Sequence, residues 1–189
     1  MNIIQSIAIL LPWTIWLIYW IATSKAVKAT AKREGVLSRR LQAIPLVIGG
    51  VLITVPAPVA ALWTPDLGSL GTVQLAGELI QLAGLGFSVW ARRYLGTNWS
   101  VSVTLKEGHE LVRNGPYRLV RHPIYTGCLL ALVGSALING QWFAFLGVAL
   151  IFASLAYKVR VEESWLTDYF GDAYRHYRLE VSALIPGLY

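Results

Sequence analysis

The feature that most constrains this chain is a run of residues near its N-terminus that carries no ionisable side chain. The run extends from Ile3 to Thr23. As an α-helix these 21 residues rise by about 1.5 Å each, enough to cross a hydrocarbon core roughly 30 Å thick. We therefore expect a first membrane-spanning helix. A cleaved signal peptide would carry basic residues before the apolar run, but the lysines come after it, so we expect the helix to be retained.

Four further apolar runs follow the first one. They cover residues 41–63, 72–90, 124–138 and 142–157. Only residues 139–141 separate the last two runs, which predicts an antiparallel helical hairpin. Small residues recur every four positions at Gly127, Ala131 and Ser135, and they predict a helix side that another backbone approaches closely. The expected fold class is all-α: one polytopic membrane domain over residues 1–189 with five transmembrane helices.

The composition agrees with a membrane protein and excludes other classes. Of the residues, 56% are apolar and 14% are charged, whereas a soluble domain carries about 25% charged residues. The net charge of +6 suits a nucleic acid or an anionic membrane surface. Because the basic residues lie between apolar runs, we expect contact with membrane lipids and not with nucleic acid. Cys128 is the single cysteine, so no intrachain disulfide and no cysteine-based zinc site is expected, and no metal.

The distribution of basic residues predicts the orientation in the membrane. Six lie between Lys25 and Arg40, six between Arg92 and Arg121, and four from Lys158 onwards, which accounts for all sixteen. The links at residues 64–71 and 139–141 contain no basic residue. By the positive-inside rule the N-terminus lies outside and the C-terminus lies in the cytoplasm.

Residues capable of chemistry gather in two segments on the cytoplasmic side, 94–123 and 158–189. Both segments flank the predicted hairpin, so one shared site is expected there. Imidazoles, aromatic rings and paired carboxylates suit a ligand with an adenine, ribose hydroxyls, an amino acid end and a positive centre. S-adenosylmethionine has all of these parts. A nucleotide polyphosphate fits less well, because no glycine-rich phosphate loop is present and Glu162 and Glu163 would repel it.

Three motifs in these segments carry a family resemblance. They are His109-x-Leu-Val-x-x-Gly-x-Tyr117, Arg121-His-Pro-x-Tyr-x-Gly127 and Glu162-Glu163, with Phe170-Gly171 and Ile185-Pro186 after them. This order resembles the isoprenylcysteine carboxyl methyltransferase family of integral membrane methyltransferases and, more loosely, the phospholipid N-methyltransferases. The resemblance covers residues 98–186. It implies an S-adenosylmethionine-dependent methyltransferase whose acceptor is lipidic or membrane-bound, such as the carboxylate of an isoprenylcysteine.

The resemblance also implies roles for individual residues. The cofactor-binding residues carried over from the family are His109, Glu110, Leu111, Val112, Tyr117, His122, Pro123, Ile124, Tyr125, Glu162 and Glu163. A basic residue about one helical turn before the glutamate pair contacts the substrate in that family. Lys158 occupies this spacing and Arg160 lies nearby, so either residue is a candidate for positioning the substrate.

The acceptor determines what chemistry the site must supply. A carboxylate is ionised near pH 7 and needs no catalytic base, so alignment provides much of the effect. A thiol or amine acceptor needs a group that receives its proton, and His109 or His122 would be the candidates. Within the same class, a phospholipid or thiol methyltransferase therefore stays open.

Two other classes provide alternatives to methyl transfer. Membrane sterol and steroid reductases that use NADPH have a similar Arg-His-Pro segment. They typically show Asn after the Pro and Glu after the Gly, where this chain has Ile124 and Cys128, which counts against reduction. The other alternative is a non-catalytic membrane scaffold, which the dense series of motifs argues against.

Overall fold

The protein is a bundle of long helices that ends in a short amphipathic helix. The computed structural model describes residues 3–24, 30–33, 35–54, 71–96, 99, 104–106 and 111–188. In chain order the elements are α1 Ile3–Thr23, β1 Thr30–Arg33, α2 Val36–Thr54, α3 Gly71–Leu95, β2 Thr104–Lys106, a 3-10 helix Gly115–Arg118, α4 Pro123–Asn139, α5 Trp142–Phe170 and α6 Asp172–Glu180. The helical fold class predicted from the sequence is confirmed.

Helix α1 has the predicted bounds, while other helices differ from the apolar runs. Helix α5 continues beyond the run 142–157 as far as Phe170, where Gly171 ends it. Helix α2 covers the run 41–63 only as far as Thr54, because residues 55–63 lie outside the described ranges. By length and composition, α1 and α5 are the helices of the described ranges that can cross a membrane, and α2 and α4 carry shorter apolar segments. The count of five membrane crossings stays a prediction.

A small antiparallel ribbon joins the segment after α1 to the segment after α3. In it Thr30 pairs with Lys106 and Arg33 pairs with Thr104. The sequence pattern did not predict this ribbon, since strands of four and three residues are too short to show an alternating period. Strand β2 also lies against α5, so the ribbon connects the N-terminal part of the chain to the helix that carries the glutamate pair.

Helices α3 and α4 approach each other through glycines. A Cβ placed on Gly84 would lie 2.5 Å from the carbonyl oxygen of Gly127 and from the amide nitrogen of Ala131. About two helical turns further along, Gly77 and Gly134 meet in the same way. The sequence analysis predicted such a side from Gly127 and Ala131, and the close approach is confirmed. Helix association in lipid depends on this close packing, because lipid tails compete for apolar surface.

A second close crossing joins α2 to α5. A Cβ on Gly49 would lie 2.6 Å from the carbonyl oxygen of Gly147, and a Cβ on Gly147 would lie 2.6 Å from the carbonyl oxygen of Gly49. Further along this contact the Ser154 hydroxyl donates to the carbonyl oxygen of Gln42 at 2.8 Å. The crossing therefore fixes α2 against the helix on which the glutamate pair lies.

Helix α1 is attached to the bundle by polar side chains. Gln81 donates to the carbonyl oxygen of Ile9 at 2.9 Å, the Trp13 indole donates to the Ser135 hydroxyl at 3.0 Å, and the Trp16 indole donates to Ser88 at 2.7 Å. The rest of α1 presents exposed isoleucines and leucines. So continuous an exposed apolar surface on a helix long enough to cross a membrane indicates an integral membrane protein.

Candidate active site

The hairpin formed by α4 and α5 brings the predicted site residues to one end of the bundle. Pro123 opens α4, a position where its missing amide proton costs nothing. Gly140 adopts a φ of 74° between the two helices, which lets α4 end and α5 begin two residues later. At the other end of the hairpin the Tyr125 hydroxyl donates to Glu162 Oε2 at 2.9 Å. The predicted antiparallel hairpin is thereby confirmed.

Glu162, Tyr125 and Lys158 form the accessible part of this cluster. The Glu162 side chain is 32% exposed, so an oxygen of its carboxylate stays open to further donors. Lys158 lies one turn earlier on α5, and its Nζ is 5.2 Å from the centroid of the Tyr125 ring. This is a cation–π distance. The three side chains together offer a carboxylate, an aromatic face and a cation.

Arg160 lies apart from this cluster. Two residues along an α-helix correspond to a rotation of about 200°, so Arg160 and Lys158 point to nearly opposite sides of α5. Arg160 is exposed. Of the two basic candidates for positioning a substrate, only Lys158 is brought next to Tyr125.

Glu163 is the central acceptor of a buried ionic network. Its Oε1 accepts from Arg121 Nε at 2.7 Å and from His122 Nε2 at 3.2 Å. Its Oε2 lies 3.3 Å from Arg178 Nε. The Glu163 side chain is only 9% exposed, so these partners enclose it. The two adjacent glutamates thus have different surroundings, because successive residues of a helix point about 100° apart.

The partners of Glu163 determine its ionisation. Burial acts to raise the pKa of the Glu163 carboxyl, but hydrogen bonds and charges from His122 and Arg121 outweigh burial and lower the pKa to about 2. The carboxyl is therefore ionised at every physiological pH. An ionised carboxylate only accepts hydrogen bonds.

The C-terminal segment is fixed to the start of α4 by backbone hydrogen bonds. The amide of Arg121 donates to the carbonyl oxygen of Ser182 at 2.8 Å, and the amide of His122 donates to that of Ala183 at 3.0 Å. The Arg121 guanidinium also donates to the carbonyl oxygens of Arg178, at 3.0 Å, and Val181. His122 and Pro123 are buried by this segment. The C-terminal segment therefore packs directly against the start of α4.

The 3-10 helix places Tyr117 beside the C-terminal helix α6. The Tyr177 hydroxyl donates to the carbonyl oxygen of Tyr117 at 2.5 Å. Burial raises the pKa of the Tyr117 phenol, with Glu162 and Tyr177 acting in the same direction. Burial likewise raises the pKa of Tyr177 to about 12, against the opposing charges of Arg121 and Arg113. Both phenols stay neutral at physiological pH.

The remaining predicted residues are placed as follows. Leu111 and Val112 are half-buried and lead into the 3-10 helix, and Ile124 is half-buried in the first turn of α4. His109 and Glu110 lie outside the residues that the structure describes. Within the described ranges, the His, Cys, Asp and Glu side chains form no group that could hold a metal ion.

Comparison with known proteins gives the family. The family model described as phospholipid methyltransferase matches residues 72–173, more than half of the chain. The chain belongs to the phospholipid methyltransferase family. The match contains the start of α4, the glutamate pair and the α3 glycines Gly77 and Gly84, so it covers the cluster described above.

Curated relatives of this family member carry out methyl transfer. It is 34% identical over 79 residues to a protein-S-isoprenylcysteine O-methyltransferase of Schizosaccharomyces pombe, which is 41% of this chain and 34% of that one. It is 39% identical over 70 residues to methanethiol S-methyltransferase 1 of Bradyrhizobium diazoefficiens, covering 37% of this chain and 24% of that one. An Arabidopsis thaliana isoprenylcysteine O-methyltransferase A is 27% identical over 125 residues, 66% of this chain and 60% of that one. The matches thus span less than two thirds of each relative.

A solved structure shares the fold of this family member. The eukaryotic intramembrane Ras methyltransferase, an isoprenylcysteine carboxyl methyltransferase, matches with a TM-score of 0.61 and 22% sequence identity. The match covers 79% of this chain and 53% of that one. The resemblance inferred from the motifs is confirmed by this fold and by the curated relatives.

Sequence reasoning missed two members of the network that surrounds Glu163. Arg121 stands directly before His122 in the motif, so its position was a usable signal. Arg178 comes fifteen residues after Glu163 on another helix, and nothing local to it indicates the contact. Its role depends on the turn at Gly171, which brings α6 back towards α5.

Proposed function

We propose that this protein is an S-adenosylmethionine-dependent methyltransferase of the membrane, with a lipidic or membrane-bound acceptor. The observation that carries the proposal is the cluster of Glu162, Tyr125 and Lys158 at the end of the α4–α5 hairpin. A half-exposed carboxylate held by a phenol, next to a cation, suits two ligands of opposite charge. The family and its methyltransferase relatives favour methyl transfer over NADPH-dependent reduction.

The methyl donor fits the residues present. When bound, S-adenosylmethionine supplies a methyl group on a positively charged sulfur. The open side of the Glu162 carboxylate accepts hydrogen bonds from hydroxyl or ammonium groups. Leu111, Val112 and Tyr117 belong to the same proposed site, together with His109 and Glu110.

Lys158 is the residue we assign to the acceptor. A carboxylate acceptor is already ionised near neutral pH, so it needs a positive partner and correct alignment but no base. Lys158 lies beside Tyr125 while Arg160 is exposed on another side of α5. A carboxylate at the end of a hydrophobic chain, as in an isoprenylcysteine, would reach Lys158 from the bilayer.

A thiol acceptor is the second candidate, and the relative named methanethiol S-methyltransferase 1 favours it. Methylation of a thiol requires that the proton of its S–H group be taken up. His122 uses its Nε2 towards Glu163, which leaves Nδ1 as the nitrogen that could accept a proton. His109 is the other candidate base.

The proposed topology has five membrane-spanning helices, the N-terminus outside and the active site in the cytoplasm. The basic residues support it, because all sixteen fall in the three segments assigned to the cytoplasm. Single cysteines introduced into a Cys128→Ser background, one in segment 64–71 and one in segment 158–189, test it in intact cells. Labelling of the first and protection of the second from an impermeant maleimide is the expected result, and the reverse pattern would contradict it.

Donor binding tests the function directly. The protein purified in detergent is titrated with S-adenosylmethionine and, separately, with NADPH in a calorimeter. We expect binding of the methyl donor only, and a loss of at least about tenfold in affinity for Glu162→Gln, since one lost charge-assisted hydrogen bond costs roughly 1.5–3 kcal/mol. Asp168→Asn is the matched control, because Asp168 is an exposed carboxylate on the same helix. NADPH binding without donor binding would refute the proposal.

The acceptor is identified by transfer of a labelled methyl group. Three acceptors are compared: a farnesylated cysteine with a free carboxylate, a short alkyl thiol and phosphatidylethanolamine vesicles. Labelling of the farnesylated cysteine alone supports carboxyl methylation. Labelling of the thiol alone supports the second candidate instead.

A further inference from the structure

We propose that Glu163 is a positioning residue: it holds His122 with a proton on Nε2, so that Nδ1 and the Glu162 carboxylate face each other as two acceptors for one donor group of the ligand. The inference rests on the proposed function, which assigns Glu162 to the methyl-donor site. It replaces the expectation that Glu163 itself binds the donor.

The surroundings of Glu163 leave no place for a ligand. Arg121 and His122 share Oε1, and Arg178 lies at Oε2. The side chain is 9% exposed, whereas that of Glu162 is 32% exposed. A ligand can therefore meet Glu162 without disturbing the network, but it cannot meet Glu163 without displacing a cation.

The hydrogen bond to Glu163 determines which nitrogen of His122 carries the proton. An ionised carboxylate has no proton to donate, so the 3.2 Å contact from Oε1 to Nε2 requires a proton on Nε2. The low pKa of Glu163 agrees with an ionised carboxylate. In the neutral imidazole, Nδ1 then carries a lone pair and acts as an acceptor.

Nδ1 of His122 lies close enough to the Glu162 carboxylate for one donor group of a ligand to bond to both. Nδ1 lies 3.8 Å from Glu162 Oε2. In the neutral tautomer protonated on Nε2, neither of these two atoms carries a proton, so both are acceptors. An ammonium group, with three N–H donors, can bond to both. The His122 ring is also parallel to the Tyr125 ring, with centroids 5.7 Å apart and 7° between the planes. The orientation of the His122 ring therefore also constrains the ring of Tyr125, whose hydroxyl donates to Glu162.

The protonation state of His122 is measurable without any ligand. The variant His109→Gln/His176→Gln leaves His122 as the single histidine of the chain. Nitrogen-15 NMR of the ring in detergent at pH 7.5 distinguishes the two neutral tautomers and the doubly protonated form. A proton on Nε2 alone is the expected result. A proton on Nδ1, alone or in addition, overturns the proposal.

Substitution of Glu163 separates positioning from ligand contact. In Glu163→Gln the amide oxygen still accepts from Arg121 and His122, so we expect the Nε2-protonated tautomer and a donor affinity within about threefold of wild type. Glu163→Met has a similar size but no acceptor, so we expect protonation of Nδ1 and at least a tenfold weaker donor affinity. A tenfold loss in Glu163→Gln with the tautomer unchanged would show that the donor meets Glu163 itself, which overturns the proposal.

Two controls keep this test independent of other failures. If Glu163→Met does not fold, two other measurements replace it: the tautomer of His122 in His109→Gln/His176→Gln with Glu163 intact, and the donor titration of Glu163→Gln. Together these two measurements still decide the role of Glu163. If the wild-type protein binds no S-adenosylmethionine, the proposed function fails while the ligand-free NMR measurement still decides the role of Glu163.

Discussion

The ammonium nitrogen of Lys158 lies 5.2 Å from the centroid of the Tyr125 ring, and the hydroxyl of that ring donates to Glu162. A cation on one side of the phenol and a carboxylate at its tip are therefore held by the same side chain. We infer that Tyr125 separates the sites of two ligands, a cationic donor near Glu162 and an anionic acceptor near Lys158.

The first prediction compares the two basic residues of α5. Lys158→Gln is expected to lower kcat/KM for a carboxylate acceptor by about tenfold or more, because a cation is lost that holds the ionised group. Arg160→Gln, which removes the same charge two residues away, is expected to change kcat/KM by less than about threefold. Steady-state methyl-transfer kinetics with a farnesylated cysteine measure both.

The acceptor dependence of this effect gives an internal control. With a neutral alkyl thiol as acceptor, Lys158→Gln should have a much smaller effect, since there is no carboxylate to hold. Equal losses for the two variants with the carboxylate acceptor would show that net charge, and not the position of Lys158, matters.

The sequence predicted the helices well where long apolar runs define them. Ile3–Thr23 has the predicted bounds because charge is absent throughout it. The sequence predicted α5 less well. The polar part from Lys158 to Phe170 contains no apolar run, and it is helical because it continues the helix that begins at Trp142. The ribbon around Thr30 and Lys106 was not predictable, because its strands lie more than seventy residues apart in the chain.

The sequence could predict which candidate residues lie close together, but not their different surroundings. The motifs located Glu162, Glu163 and His122 correctly at one end of the hairpin. They could not distinguish the half-exposed Glu162 from the buried Glu163, because that difference depends on Arg178, which lies on another helix. Long-range contacts of this kind leave no local pattern in one sequence.

The second prediction concerns stability in acid. The pKa of Glu163 in the folded protein is about 2, below its ordinary value of 4.5. A lowered folded-state pKa contributes stability that is present above about pH 4.5 and is lost as the pH falls towards 2. The contribution is on the order of 3 kcal/mol, because one pKa unit corresponds to about 1.4 kcal/mol. Thermal unfolding in detergent, followed by circular dichroism from pH 6 to pH 2.5, measures it.

Glu163→Gln is the informative variant for this acid transition. It has no carboxyl to protonate at this position, so its melting temperature should fall less than that of the wild type over the same pH range. Asp168→Asn removes an exposed carboxyl from α5 and is expected to follow the wild-type curve. Parallel curves for Glu163→Gln and the wild type would contradict the assignment.

The third prediction tests the close approach of α3 and α4. In Gly84→Ala the new Cβ would lie 2.5 Å from backbone atoms of α4, so the helices must separate, at a cost of about 1–3 kcal/mol. Gly86→Ala is the matched control, because a Cβ at Gly86 meets no atom within 4 Å. We expect a melting temperature several degrees lower for the first variant and equal or higher for the second. A tolerated Gly84→Ala would mean that glycine packing does not set the helix spacing.

The last prediction concerns Arg92, which joins the ends of α1 and α3. Its guanidinium donates to the carbonyl oxygens of Thr23 at 2.9 Å and Gly96 at 2.7 Å, and its Cζ lies 4.4 Å from the centroid of the Trp99 ring. Lysine keeps the charge but cannot bond both carbonyl groups while covering the ring, because its ammonium is a single point. Arg92→Lys is therefore expected to lower stability by about 1–3 kcal/mol, whereas Arg93→Lys, at an exposed neighbour, should leave it unchanged. Thermal unfolding followed by tryptophan fluorescence measures both variants, and equal melting temperatures would show that the bonds of Arg92 do not hold α1 in place.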